Sequence, residues 1–198
     1  YKYKNFKEMS SLKFVYVSNF DAYKHHDKLI ESFYYFRKKY NINASLFLVG
    51  SPDGYGANSV QKALKKFDRE RNFVNVVGSV CNNELSSYLG DFDIFIFASS
   101  CENLPVTLLE GMATGLPIIS SNRGPMPDIL GQDVALFDPE DVESVMSAMY
   151  RVIMDEEFRT ASAQSTFCRA LAYDWKATSD ASFELLGRVA KSQVPTHR

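Results

Sequence analysis

Two glutamates around a helix start are the side chains in this sequence best suited to chemistry. Seven residues separate Glu102 from Glu110, and Pro105, which is typical of the first position of a helix, lies between them. In the first turn, the free backbone N–H groups of Val106 and Thr107 and the helix dipole favour an anion such as phosphate or pyrophosphate. Each ionised carboxylate can accept two hydroxyl donors from a vicinal diol. A phosphate between two such carboxylates describes a nucleotide-sugar.

A structural interpretation of the same two glutamates stays open. Glu102 would then cap the helix and Glu110 would be a solvated helix residue, and the spacing alone favours this interpretation. Other patterns give weaker candidates. Neighbouring histidines such as His25 and His26 point in different directions and lack the further ligands of a metal site. The segment Gly50–Gly56 matches no phosphate-binding glycine pattern, which predicts a flexible loop.

Alternating strands and helices are predicted to position these residues. The expected strands are Lys13–Val17, Ser45–Val49, Phe73–Val77, Asp93–Phe97, Pro117–Ser120 and Val134–Phe137. The expected helices are Asp27–Lys39, Ser59–Arg71, Asn83–Leu89, Pro105–Thr114, Glu140–Met154, Glu156–Ala172 and Trp175–Lys191. Nearly continuous apolar strands suit a sheet that helices cover on both faces. We therefore expect an α/β fold with a doubly wound, Rossmann-like parallel sheet, whose ligands bind at the carboxyl ends of the strands, followed by trailing C-terminal helices.

Composition excludes several classes of protein. The sequence has 22 Lys plus Arg against 24 Asp plus Glu, so its formal charge of −2 leaves no basic stripe for nucleic acid. Its apolar runs are far shorter than the ~20 residues of a membrane-spanning helix, and its first residues have no apolar signal segment. Its cysteines, Cys81, Cys101 and Cys168, are odd in number and widely spaced, which indicates a reducing compartment such as the cytosol.

The glutamate pair belongs to a longer pattern. The string from Glu102 to Ile119, with Leu104-Pro105 inside the Glu-x7-Glu spacing, resembles the signature of the family 4 retaining glycosyltransferases, which have the two-domain GT-B architecture. Further blocks resemble that family in the same order: Tyr16–Asn19 with Lys24 and Leu29–Phe33, Phe47–Gly50, Val76–Val80 with Glu84-Leu85, Gly124–Leu130, Phe137–Pro139 and Trp175. The resemblance covers nearly the whole chain and implies the C-terminal, donor-binding half of a GT-B fold.

The resemblance also implies a role for individual residues. Glu110 would hold the ribose hydroxyls, Glu102 would hold the hydroxyls of the donor sugar, and Lys24 would neutralise the departing diphosphate. The family match places further donor-binding groups at Asn19, Val80, Asn103, Leu104, Val106 and Thr107. The base would bind near Val80, largely through backbone groups. No metal or other cofactor is implied, and Asp91-Phe92-Asp93 fits a connection between a helix and a strand better than a metal motif.

Two positions depart from the family pattern. Asn19 stands where an arginine is usual, and His25 stands where a glycine is common. Loss of one cation would weaken the stabilisation of the diphosphate unless another charge replaces it. Arg123 and a protonated His25 are the candidates for that replacement.

The expected function is donor binding within a retaining hexosyltransferase. Its donor would be a UDP- or GDP-sugar, and its acceptor a glycan or a lipid-linked glycan bound through an N-terminal domain outside this sequence.

We expect residues 1–11 to be a linker from that N-terminal domain, 12–172 to form the nucleotide-sugar-binding domain, and 173–198 to form a helix and tail that cross back to the N-terminal domain. Alone, the chain would bind nucleotide without catalysing transfer. A non-catalytic nucleotide-sugar-binding module and a GT-B sugar-nucleotide epimerase remain alternatives. The expected location is the cytoplasm, with peripheral association at the inner face of the membrane.

Overall fold

A six-stranded parallel sheet forms the centre of the molecule. The computed structural model describes Phe6 and residues 10–192. Its strands are β1 (Leu12–Val17), β2 (Ala44–Val49), β3 (Val74–Gly78), β4 (Ile94–Phe97), β5 (Ile118–Ser121) and β6 (Ala135–Phe137). They lie in the order β3-β2-β1-β4-β5-β6, and every neighbouring pair is parallel. This is the Rossmann strand order, so the doubly wound α/β fold expected from the sequence is confirmed.

Helices connect the strands and follow the last of them. They are α1 (His26–Tyr40), α2 (Ala57–Phe67), α3 (Asn82–Leu89), α4 (Val106–Ala113), α5 (Met126–Leu130), α6 (Val142–Met154), α7 (Glu156–Ala170) and α8 (Trp175–Ser192). A short 3-10 turn at Ala22–Lys24 precedes α1. The sequence predicts all of these except the 3-10 turn and α5, which is a five-residue helix and too short for a periodic pattern to reveal.

Helix α2 ends four residues before the predicted end at Arg71, because a buried carboxylate captures the following backbone. The Asp68 side chain accepts hydrogen bonds from the N–H groups of Asn72, Phe73 and Val74 at 2.8, 3.1 and 2.7 Å. Those amides therefore turn toward Asp68 instead of continuing the helix. The same three bonds lead the chain directly into β3.

The core lies on both faces of the sheet. Every side chain of β4 is buried, as its continuous apolar run predicts for a covered parallel strand. On one face, the rings of Phe14 and Phe33 meet edge to face with centroids 5.2 Å apart. Asp93 is also buried, and its carboxylate accepts the Lys13 N–H at 2.8 Å. This contact ties β4 to β1 and supports the prediction that Asp93 leads into a strand.

The loop after β2 packs closely against the loop after β1. A Cβ on Gly50, whose φ is +141°, would lie 2.2 Å from the carbonyl oxygen of Ser18. A Cβ on Gly54 would lie 2.3 Å from the carbonyl oxygen of Phe20, and the Gly56 N–H donates to that oxygen at 2.7 Å. These glycines serve close backbone approach, and the flexibility expected of the rest of this loop stays a prediction.

The C-terminal helix α8 is exposed along the residues whose burial the structure describes. Every residue from 171 to 191 is exposed, including Trp175, Phe183 and Leu186. The domain boundary at residue 172 and the crossing helix stay predictions, and residues 1–5, 7–9 and 193–198 of the expected linker and tail lie outside the described residues. Within residues 10–192, none of the helices combines the length and apolarity that a bilayer crossing requires.

Gly111 tests how α4 is held against the sheet. A Cβ there would lie 2.8 Å from carbon atoms of the fully buried Phe95 ring in β4. Because neither the strand nor the ring can withdraw, Gly111→Ala is expected to lower the free energy of unfolding by about 1–3 kcal/mol, measured by urea denaturation. Gly187→Ala in exposed α8 is the control, since no atom lies within 4 Å of its Cβ. Equal stability of Gly111→Ala and wild type would contradict this packing.

Candidate functional site

A crevice opens at the carboxyl ends of β1, β2 and β3, beside the first turns of α4. It has a volume of about 390 Å³. It lies where the strand order reverses between β1 and β4, which is the usual ligand position in an open parallel sheet. The lining residues are Val17, Ser18, Asn19, Asp21, Tyr23, Lys24, Val49, Gly50, Ser79, Val80, Asn82, Leu85, Thr107 and Glu110.

An ion pair between Lys24 and Glu102 lies at this crevice. The Lys24 ammonium bonds directly to the Glu102 carboxylate, and the two side chains are only 13% and 14% exposed. The Tyr16 hydroxyl, from the buried strand β1, donates to the Lys24 carbonyl oxygen at 3.1 Å. The Lys24 Nζ also lies 5.0 Å from the centre of the Tyr23 ring. These contacts thus hold both the backbone and the side-chain ammonium of Lys24 in place.

The pair joins two loops that are far apart in the sequence. Lys24 closes the turn after β1, and Glu102 lies in the loop between β4 and α4. Because both charges are mostly shielded from water, removing one of them would leave the other without compensation. An anion that enters the crevice can therefore compete with Glu102 for Lys24, and it would release the carboxylate to accept other donors.

The start of α4 supplies one open amide to the crevice. Pro105 precedes the helix instead of occupying its first position, because its ψ of 80° is not helical. The Val106 N–H donates to the Leu104 carbonyl oxygen at 3.0 Å, so the expectation of a free Val106 N–H was wrong. The Thr107 N–H has no hydrogen-bond partner among the described residues. Among the described amides in the first turn of α4, the Thr107 N–H is therefore the one that remains open to an anion.

Glu110 lies one turn further along α4 and borders the crevice. Its side chain is partly buried, and this burial raises the pKa of its carboxyl. The carboxylate is therefore less well solvated than one on an open helix face. A hydroxyl donor from a ligand would replace part of that lost hydration.

The structure brings most, but not all, of the predicted site residues together. Five of them line the crevice: Asn19, Lys24, Val80, Thr107 and Glu110. Glu102 reaches it through the ion pair with Lys24. Leu104 and Val106 instead border a neighbouring groove of about 260 Å³ between α4 and the start of α8, which Trp175 also lines. Asn103 is exposed in the loop and lines neither space.

The substitute cations considered from the sequence lie elsewhere. The Arg123 guanidinium pairs with Asp138 at 2.8 Å and approaches Glu140 at 3.8 Å. The His25 ring bonds to Ser100. Neither residue lines the crevice, so among the residues described Lys24 is its one basic lining residue. The replacement of a missing arginine charge by Arg123 or His25 therefore has no support in the geometry.

Asn19, at the position where the resemblance implies arginine, holds the neighbouring loop. Its side-chain oxygen accepts the Ser51 N–H at 2.9 Å. The Phe20 N–H donates to the Ser51 carbonyl oxygen at 3.0 Å. Asn19 thus fixes the wall of the crevice near β2, and this use of its oxygen leaves its amide nitrogen for a ligand.

Several lining residues were given no individual role in the sequence analysis, although Ser79 and Leu85 belong to blocks that resemble the family. Asp21, Tyr23, Ser79, Asn82 and Leu85 all border the crevice. Each lies within a few residues of the carboxyl end of β1 or β3, so the rule that ligands bind there could have found the region. The residue types of Asp21, Tyr23 and Asn82 do not distinguish them from ordinary polar residues near a strand end, because these three form no motif of their own.

The described residues show no group of three or more His, Cys, Asp and Glu side chains placed to hold a metal ion. All three cysteines are unpaired and exposed. Cys101, beside Glu102, is not part of the crevice lining.

His26 is a buried base beneath the Lys24 turn. Its ring is 1% exposed and stacks on Tyr16 with centroids 4.7 Å apart, and neither ring nitrogen has a hydrogen-bond partner among the described residues. Burial, with the nearby charge of Lys24, lowers the pKa of His26 from 6.5 to about 3. The ring is therefore neutral in the folded protein over most of the acid range.

This lowered pKa predicts a loss of stability in acid. Between pH 6.5 and about 3 the unfolded His26 binds a proton that the folded residue does not, so stability falls as the pH falls. His26→Phe keeps a stacked ring and is expected to flatten this part of the profile, by up to about 1.4 kcal/mol per pH unit. Urea denaturation of the wild type and of His26→Phe at several pH values measures this pH dependence of stability. Equal slopes for both proteins would contradict a neutral buried ring.

Known proteins share this fold and much of the sequence pattern. The sulfoquinovosyl transferase SQD2 of Arabidopsis thaliana is 30% identical over 123 residues, which are 58% of this chain and 24% of the relative. The sucrose-phosphate synthase of Thermosynechococcus elongatus superposes with a TM-score of 0.80 at 20% identity, over 93% of this chain and 47% of that one. Anabaena HepE, solved with UDP and glucose, gives a TM-score of 0.77 at 16% identity, over 90% and 48%.

These comparisons define a fold and a family. The chain spans about a quarter of that curated relative and about half of those solved chains. The two structural likenesses lie at low identity and show the fold alone. A family model described as "Glycosyl transferases group 1" matches residues 1–166. The chain therefore belongs to the glycosyl transferases group 1 family.

Proposed function

We propose that this chain is the donor-binding domain of a retaining glycosyltransferase that transfers a hexosyl unit from a UDP- or GDP-sugar. The observation that carries the proposal is the meeting of Lys24, Glu102, the open Thr107 amide and Glu110 at one crevice. A cation and an amide suit a diphosphate. The two carboxylates suit the hydroxyls of a ribose and a sugar. Membership of a glycosyltransferase family supports this assignment.

In this proposal the ion pair opens when the donor binds. The diphosphate becomes the partner of Lys24, and Glu102 becomes free to accept hydroxyls of the donor sugar. Glu110 holds the ribose, and backbone groups near Val80 meet the base. The structure of Anabaena HepE contains UDP and glucose, which supports a nucleotide with a sugar as the type of ligand for this fold. The resemblance to family 4 supports the assignment of the individual carboxylates.

Lys24 has the central chemical role in the transfer. When the glycosidic bond breaks, its electron pair remains on the diphosphate oxygen, where negative charge grows. A fixed cation stabilises this charge more in the transition state than in the ground state. A phosphate oxygen of the leaving group takes the proton of the acceptor hydroxyl, and the new bond forms on the same face of the sugar. The configuration is thereby retained, and this scheme requires no metal ion.

The acceptor site belongs to another part of a longer protein in this proposal. The chain spans only about half of the solved chains that it resembles. The proposed acceptor, a glycan or a lipid-linked glycan, would bind across the crevice from an N-terminal domain. The exposed apolar side chains of α8, such as Phe183 and Leu186, would contact that domain. Peripheral membrane association at the cytoplasmic face would then be a property of the whole protein.

Titration calorimetry with UDP and with GDP tests the proposal. Wild type is expected to bind at least one of them, and Lys24→Met to weaken that binding about tenfold or more, because a charge-assisted hydrogen bond contributes about 1.5–3 kcal/mol. Lys28→Met is the matched control, since Lys28 pairs with Glu31 on α1 outside the crevice. Melting temperatures identify variants that are destabilised by the uncompensated Glu102.

Two results would contradict the proposed function. One is a wild-type protein that binds neither nucleotide. The other is a folded Lys24→Met variant whose affinity equals that of wild type. A preference for UDP or for GDP in the same titrations would identify the base.

A further inference from the structure

His25 has an unusual backbone conformation beside the catalytic lysine. Its φ and ψ are 51° and 34°, in the left-handed region, and it links the 3-10 turn to α1. Glycine adopts this conformation readily, whereas other residues do so at a cost. The conformation explains why glycine suits this position, which the family commonly fills with glycine. A histidine here therefore carries a conformational cost, which a contact of its side chain can offset.

The ring of His25 makes one such interaction, with the loop that carries Glu102. Its Nε2 lies 2.7 Å from the Ser100 Oγ. The Ser100 hydroxyl lies 3.3 Å from the Tyr23 carbonyl oxygen and donates to it, and the Ser100 N–H donates to the same oxygen at 2.9 Å. The tautomer of the ring decides which atom donates in this contact: a ring that carries the Nε2 proton donates to Oγ and leaves the hydroxyl proton for Tyr23. We call the contacts among His25, Ser100 and Tyr23 the tether.

The tether lies immediately beside the ion pair. Lys24 is the residue between Tyr23 and His25, and Glu102 follows Ser100 by two residues. The tether therefore fixes the distance between the turn after β1 and the loop that leads into α4. Neither His25 nor Ser100 lines the crevice, so both can act only through the residues that they hold.

We infer that His25 is a positioning residue, whose ring keeps Lys24 and the start of α4 at the separation that a nucleoside diphosphate requires. The inference rests on the proposed function. The diphosphate must meet Lys24 and the Thr107 amide together. Loops held at the correct separation before binding need less ordering when the ligand arrives. His25 thus adopts this backbone conformation less easily than glycine would, but its ring contact preforms the site.

Variants at residue 25 separate this role from a merely structural one. His25→Gly removes the ring and relieves the left-handed strain, so the melting temperature is expected to stay equal or rise. The dissociation constant for the better of UDP and GDP is nevertheless expected to rise about five- to tenfold. His25→Gln carries a neutral amide donor of similar reach, and its affinity is expected to lie within about twofold of wild type.

Two further variants complete the design. Ser100→Ala removes the hydroxyl that meets the His25 ring and the Tyr23 carbonyl oxygen while leaving residue 25 intact, and it should weaken binding at least as much as His25→Gly does. The double variant should bind no more weakly than Ser100→Ala does, because both changes break the contact between His25 and Ser100. Asn41→Gly is the control: Asn41 has nearly the same left-handed conformation, with φ of 51° and ψ of 40°, but lies at the far end of α1. Its affinity should match that of wild type.

Amide hydrogen exchange supplies a readout that is independent of the nucleotide. His25→Gly should speed exchange in residues 99–107, and His25→Gln should restore slow exchange there. If His25→Gly bound the nucleotide with wild-type affinity, the inference about His25 would be overturned, while the proposed function would stand. The inference would also be overturned if His25→Gln bound the nucleotide as weakly as His25→Gly does, or if the losses of affinity in the double variant were additive. Failure of the wild type to bind UDP or GDP would overturn the proposed function, and this inference with it.

Discussion

The Lys24–Glu102 ion pair is the interaction on which the organisation of the site depends. It connects the two halves of the sheet at the point where the strand order reverses. Around it, the Tyr16 hydroxyl fixes the Lys24 backbone and Ser100 fixes the turn before it. The crevice is therefore enclosed by loops that these contacts hold together, instead of by loops that each fold independently.

The burial of Lys24 and Glu102 determines how strongly each charge needs a partner. Two exposed charges would contribute little and would be screened by salt. These two are mostly shielded, so each needs a partner, and an incoming anion must replace one of them. The same low hydration affects Glu110, where burial raises the pKa of the carboxyl. A site of this kind favours a ligand that offers a negative charge to the lysine and hydroxyl donors to the carboxylates, as a nucleotide-sugar does.

Much of the fold could be predicted from the sequence, because each strand and long helix has its own local pattern. The covered strand β4 follows from its apolar run. The end of α2 could not be predicted, because it depends on where the Asp68 carboxylate lies relative to three later amides. The close approach of Gly54 and Phe20 also depends on packing between loops. Local pattern contains no information about such contacts.

The site, like the fold, could be predicted only in part. Glu102, Glu110 and Lys24 could be selected by residue type and by resemblance, but their arrangement could not. That Glu102 pairs with Lys24, 78 residues away, and that the Val106 N–H is already occupied, follow only from three-dimensional geometry. The role inferred for His25 was likewise hidden: its departure from a common glycine was visible in the sequence, but its left-handed backbone and its contact with Ser100 follow only from three-dimensional geometry.

A crystal structure of the protein with UDP or GDP bound tests the central claim most directly. The expected structure has a diphosphate oxygen within hydrogen-bond distance of the Lys24 Nζ and the Thr107 N–H, ribose hydroxyls on Glu110, and Glu102 released from Lys24. A nucleotide bound away from this crevice would contradict the claim. So would a diphosphate that leaves Lys24 paired with Glu102 and does not contact it.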